Sequence, residues 1–222
     1  MGFIINNSAQ GERPVHPSTQ WAKWKKEKFV YWDKAEQVEK DFEVPEEFIV
    51  VAEAWSITWW LDSRNCWVWS NEAYSFAKDP LIIRDNTGAV VLEWMWKDIK
   101  DKAKGMGMKL VKNIHFVTEK EPDVIRTICL NWAGLSDWIN WFAETPFILS
   151  NNKIKYAWLK DWKKWANKYK FPHFEAWSTL TDDNKKVQIV WAQMLLDYHD
   201  ATRVSPDEIE AKEAVDETDL PF

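Results

Sequence analysis

Hydrophobic positions along this chain change their period part-way. Between about residues 29 and 131 they come in short runs and alternations of period two, which predict strands. Residues 29–32 (FVYW) and 48–57 are dense in β-formers, and residues 66–70 and 81–84 read the same way. Asp85, Asn86, Thr87 and Gly88 form a hairpin turn signal leading into a further strand over 89–96. A short helix follows over about 97–104, stopped by Gly105. Two more strands, over 109–117 and 124–131, are joined across the polar stretch 119–123. Strands, one helix and then a strand pair fit an OB-type barrel whose middle helix caps one end. Other small barrels and sandwiches fit the same order.

After Trp132 the period becomes 3.6. Leu135, Trp138, Ile139 and Phe142 fall on one helical face, and Trp158, Trp162, Trp165 and Tyr169 recur at i, i+4, i+7 and i+11. Val187, Val190, Trp191, Met194, Leu195 and Tyr198 form a third stripe behind Asp182 and Asp183, acids suited to a helix start. The expected class is α+β. A flexible N-terminal arm (1–20) leads into an OB-like β-barrel body (21–150). A helical extension (151–203) packs on the body, and a disordered acidic tail (204–222) follows.

At 222 residues, with 46% hydrophobic and 29% charged positions, the chain can bury a sizeable core. No stretch approaches the roughly 18 apolar residues of a membrane helix, and the first residues lack the basic and apolar regions of a signal peptide. Cys66 and Cys129 are far apart with no CxxC, which fits reduced thiols in a cytoplasmic protein. Charge is unevenly placed. From Pro206 to Phe222 seven acids face only Lys212, a net of −6 that equals the net of the whole chain. The preceding residues therefore balance at zero and are free to carry local basic patches for a polyanion.

Eighteen Trp, beside five Tyr and eleven Phe, exceed what one core needs, because Trp is large and its indole N–H requires a partner. Trp67 and Trp69 share one side of their strand, opposite Cys66, Val68 and Ser70, and Trp94 and Trp96 share a side with Leu92. One pair is expected in the core, and the other, if exposed, makes a platform on which bases stack. Lysines interleave with aromatics in two regions. The first holds Trp21, Lys23, Trp24, Lys25, Lys26, Lys28, Tyr31, Trp32 and Lys34; the second, residues 153–170, holds seven Lys against Asp161. The helical spacing of the second favours a buried face with lysines on the wet side. Trp59, Trp60 and Arg64 read as a loop tip beside the binding face, and Arg84 adds a cation.

Catalytic signatures are not apparent. His16, His115, His173 and His199 are scattered with no pair at ligand spacing, and His115 between Ile114 and Phe116 reads as a core or edge histidine. No P-loop, GxGxxG or GxSxG occurs, so neither a cofactor nor a metal is expected. Two other readings remain open. One is a protein- or carbohydrate-binding adaptor with exposed Trp surfaces. The other is a metal-dependent nuclease or recombination enzyme with carboxylates from distant positions.

The last residues, Asp216, Glu217, Thr218, Asp219, Leu220, Pro221 and Phe222, join solvated acids to an apolar tip. An Arg-lined apolar pocket on a partner captures such an end. This ending resembles the C-terminal tip of bacterial single-stranded DNA-binding proteins. Residues 69–73, 80–84, 97–102 and 135–142 are similar to segments of phage-encoded single-stranded DNA-binding proteins. The resemblance implies an OB-fold that coats single-stranded DNA in replication, recombination and repair, in the host cytoplasm if phage-encoded. It also implies that the tail recruits replication or repair proteins, with Asp216, Glu217, Asp219, Leu220, Pro221 and Phe222 as the docking residues.

Overall fold

Period-two runs in the first 130 residues become strands because β-branched and aromatic side chains pack well on a pleated surface. The computed structural model describes residues 14–62, 65–142, 147–164 and 167–203. The chain runs β1 (Gln20–Lys25), β2 (Lys28–Asp33), β3 (Val38–Phe42), β4 (Glu47–Leu61), β5 (Cys66–Ser70), β6 (Leu81–Asp85), β7 (Val90–Trp94) and α1 (Trp96–Gly105). It continues with β8 (Leu110–Val117), β9 (Arg126–Leu130), α2 (Trp132–Phe142), α3 (Phe147–Asn151), β10 (Asn152–Lys164), β11 (Asn167–Thr179) and α4 (Asp182–Thr202). The turn before β7 is formed as its sequence demands: Gly88 takes φ +87° and its N–H donates to the Asp85 carbonyl at 2.9 Å.

The strands form one mixed sheet in the order β3-β2-β1-β9-β8-β4-β5-β6-β7, with β10 pairing β4 and β11 pairing β10. All pairings are antiparallel except β1 with β9, which is parallel. β4 alternates its side chains between two cores. Phe48 and Val50 join Ile114, Phe116, Ile128 and Leu130 beneath Trp138 and Phe142 of α2 and Phe174 of β11. Ile49 and Val51 point the other way, with Val117 and Ile125, under Leu195 of α4. A bulge between Val50 and Ala52 shifts the register, and the far end of β4 enters a third cluster of Ile57, Leu61, Val68, Leu81, Ile83 and Leu92 against Ile99 and Ala103 of α1.

Three expectations need correction. The OB-type barrel is not what the pairing gives: the sheet is open, ending on β3 and β7, and only the α+β class is retained. Strand number and order are local properties, whereas closure depends on pairings between distant segments. β10 and β11 pair antiparallel where a helical extension is expected, and within that stretch only α4 keeps the helical reading. Spacings of four are also even, so Trp158 and Trp162 satisfy a strand as well as a helix. Aromatic-rich segments gain little from helix propensity, Pro172 would break a helix interior, and Ile154 finds a partner in Phe48. Pro172 sits on β11, which pairs only with β10, where a missing N–H is tolerated. Of the expected arm, residues 1–13 lie outside the described residues and residues 16–20 are held in place: the Thr19 N–H donates to Ile125 O at 3.0 Å and Ser18 is buried. The tail, residues 204–222, lies outside the described residues. No described helix is long and apolar enough to cross a membrane.

Candidate functional site

Strand parity sorts the first basic-aromatic region onto two faces. On β1, Ala22 and Trp24 turn toward the core and Trp21, Lys23 and Lys25 turn to solvent. Register carries that outer face onto β2, where Val30 pairs with Lys23 and Trp32 follows two residues later, exposed. On the far side of the sheet, Trp60 pairs with Trp67, Thr58 with Trp69, and Trp69 with Arg84. Trp67 and Trp69 are 47% and 43% exposed, so this pair is the wet one. Trp94 and Trp96 pack against the α1 cluster, with Trp96 stacked on Phe76 at 5.9 Å.

Curvature of the sheet brings these strands together. The Lys23 ammonium lies 5.4 Å from the Trp67 ring centre, although β1 and β5 are separated by three strands. The Trp60 and Trp67 rings meet edge-on at 5.7 Å. The result is an open surface of three indoles, Trp60, Trp67 and Trp69, with a cation among them. Along β1 and at the start of β2 the cations are partnered: Lys25 contacts Glu39 at 2.7 Å, Lys23 contacts the same carboxylate at 3.8 Å, and Lys28 contacts Asp41 at 2.5 Å. Exposed pairs of this kind are weak and exchange readily for phosphate.

Other expected site residues are placed elsewhere. The Trp24 indole N–H donates to Lys170 O at 3.3 Å and its ring packs on Phe29. Tyr31 is half-buried against Phe42, and Trp59 joins the α1 cluster beneath Lys109, 4.7 Å from its ring centre. Lys26 is exposed at the β1–β2 turn, and the Arg84 guanidinium donates to Gly88 O at 3.1 Å, folded over its own hairpin. Arg64 and the tail residues Asp216, Glu217, Asp219, Leu220, Pro221 and Phe222 lie outside the described residues. From the second region, Trp158 is exposed and packs on His173, which is itself bonded to Asp137 at 2.5 Å.

One constellation had no signal in the sequence. His16, Glu72 and His115 are brought together from the segment before β1, the loop after β5, and β8. His115 Nε2 lies 3.0 Å from Glu72 Oε1, and His16 Nε2 lies 3.1 Å from Glu72 Oε2. The Asn113 amide donates to Glu72 Oε1 at 2.6 Å and to Ser56 Oγ at 2.9 Å. Burial opposes the charge on Glu72, but His115 and His16 beside it outweigh that and hold its carboxyl well below the usual carboxylate range. His16 and Glu72 line a pocket of about 360 Å³ with Trp21, Tyr74, Tyr198, His199 and Arg203, while His115 is fully buried. Sequence separations of 56 and 43 residues between these partners hide them from any spacing rule. No family model, curated protein or solved structure matches this chain.

Proposed function

We propose that the curved face carrying Trp60, Trp67, Trp69 and Lys23 binds single-stranded DNA, without catalysis and with little sequence preference. The observation that carries this reading is the exposure of three large indoles on one face beside a lysine, where burial would be the cheaper arrangement. Unpaired bases offer π-faces that a duplex hides, and stacking is worth about 1–3 kcal/mol per base. Trp21, Trp32, Lys25 and Lys28 extend the same face for further bases and phosphates. The resemblance of the acidic C-terminal sequence to the tip of bacterial single-stranded DNA-binding proteins supports a second part of the reading. In it, the tail docks replication or repair proteins while the sheet covers the strand.

Titration with a 30-mer of oligo-dT tests the first part. Tryptophan fluorescence is expected to quench on binding, and affinity to fall steeply with salt as counterions are released. Trp67→Ala with Trp69→Ala is expected to weaken binding at least tenfold and remove most of the quenching. Quenching and affinity unchanged in that double variant, or no salt-dependent complex in the original chain, would overturn the reading. Incubation of labelled strand with Mg²⁺ or Mn²⁺ separates it from the nuclease alternative.

A further inference from the structure

We propose that His16, Glu72 and His115 form a site for one divalent transition-metal ion, Zn²⁺ by the chemistry of its ligands, at the wall of the pocket beside the C-terminal end of α4. The inference does not depend on the DNA reading. Ligand atoms from the three side chains all lie within 4.8 Å of one another. Ligands that each sit about 2.0 Å from a tetrahedral zinc ion stand about 3.3 Å apart. The two imidazole-to-carboxylate separations here are 3.0 and 3.1 Å. Two histidines and a glutamate leave a fourth position open, the arrangement of a zinc ion that accepts water or another ligand. The adjoining pocket is lined by Tyr74, whose Oη is buried with no hydrogen-bond partner, and by His199, whose Nε2 lies 3.6 Å from Asp79 Oδ2.

The surrounding hydrogen bonds set His115 and Glu72 as a metal requires. His115 Nδ1 lies 2.8 Å from Thr127 Oγ1; the Thr127 hydroxyl donates to Ser18 Oγ at 2.8 Å, and the Ser18 hydroxyl donates to Gln20 O at 3.1 Å. With both hydroxyl protons directed outward, Thr127 Oγ1 accepts from His115, so the ring proton sits on Nδ1. The Nε2 lone pair is then left facing the Glu72 carboxylate, an opposition that only a cation or a second proton between them relieves. Hydrogen bonds that fix a ligating histidine and carboxylate from behind are themselves a feature of metal sites. Glu72 is clamped in that way by Asn113, whose own Oδ1 is buried with no hydrogen-bond partner. His16 is the ligand that must adjust. Its Nδ1 accepts the Ser18 N–H at 2.9 Å, so ligation through Nε2 moves the ring proton to Nδ1 and exchanges two hydrogen bonds, to Ser18 and to Glu72, for a bond to the metal that Glu72 shares.

The test uses the full chain without an affinity tag, stripped with a chelator and titrated with Zn²⁺ by calorimetry and with Co²⁺ by visible absorption. One ion per chain, a rise in Tm with Zn²⁺, and at least tenfold weaker binding in His16→Asn and His115→Asn are expected. Circular dichroism checks the fold of each variant. Should His115→Asn fail to fold, His16→Asn decides, since His16 is outside the core clusters. No saturable binding overturns the proposal and leaves the network held by protons. One-to-one binding that His16→Asn leaves unchanged overturns it equally.

Discussion

Among individual residues, tryptophan does two different jobs in this chain, and its surroundings decide which. Trp138 is 2% exposed, its indole N–H donates to Glu53 Oε1 at 2.7 Å, and its ring touches Phe142 and Phe174. Trp67 has a face open to solvent. Trp138→Ala is therefore expected to cost about 3–5 kcal/mol, read as a lowered denaturation midpoint, because it empties a packed site and removes the hydrogen bond to Glu53. Trp67→Ala is expected to change stability by no more than about 0.5 kcal/mol while lowering DNA affinity. The period-two pattern places Trp67 and Trp69 on one side, but it also pairs Trp94 with Trp96, whereas β7 ends at Trp94 and Trp96 opens α1, and the elements that cover each side come from distant sequence. Trp67 with Trp69 and Trp94 with Trp96 therefore look alike until α1 is placed. The thiols give a second residue-scale prediction. Burial pushes the Cys129 thiol up to about 12, with the nearby Glu72 charge adding to the shift and Lys23 opposing it. Raising an acid's pKa keeps it protonated, so at pH 8 iodoacetamide should modify Cys129 slowly in the folded chain and rapidly in denaturant, as followed by mass spectrometry.

At the level of elements, β1 and β2 are joined by a two-residue turn in which Lys26 (φ 51°) and Glu27 (φ 65°) both take left-handed backbone. Such turns match strand twist but favour Asn-Gly, and an L-residue with a side chain there is strained by roughly 1–2 kcal/mol. Glu27→Gly is expected to raise the denaturation midpoint, by about 0.5–1 kcal/mol after glycine's entropy cost is subtracted. The strands from β5 to β9, the first part of β4 and the helices α1, α2 and α4 are legible because turn residues bracket them and their periods are clean; Trp59 and Trp60, expected at a loop tip, instead continue β4 to Leu61. β3 was not: Val38, Glu39, Lys40, Asp41 and Phe42 offer little hydrophobic signal, and pairing with β2 creates the strand. The hairpin of β10 and β11 was read as helix for a related reason, since its even spacings suit both structures and Phe48 of β4 decides between them. The candidate platform was partly visible as paired tryptophans. The His16–Glu72–His115 cluster was invisible, because three separate elements assemble it.

For the whole molecule, the charges on the outer face are coupled across strands. Glu39 on β3 accepts from Lys25 and lies near Lys23, and the Lys25 ammonium holds its carboxyl below the usual range. It thereby occupies two cations that a phosphate backbone would use. Glu39→Gln is expected to tighten binding to oligo-dT at low salt. It should also steepen the salt dependence, by about 0.7 in the logarithmic slope for each further phosphate neutralised. Stability should change by only a few tenths of a kcal/mol, as for other exposed pairs. The open edges of the sheet are managed by the same charges. β3 carries Glu39, Lys40 and Asp41, which discourage a second copy from adding a strand there.

The parallel pairing of β1 with β9 sets the order in which this chain can be made. The ribosome releases residues 20–25 long before residues 126–130, so the β1–β2–β3 meander forms locally and then waits with one edge of β1 unpaired. Contacts of such long sequence separation slow folding, because a large loop must close before they contribute. A nascent chain halted before Leu130 therefore displays its lysine- and tryptophan-bearing meander without the strand that anchors it. During synthesis, that interval is when the chain is most open to pairing with a neighbouring copy.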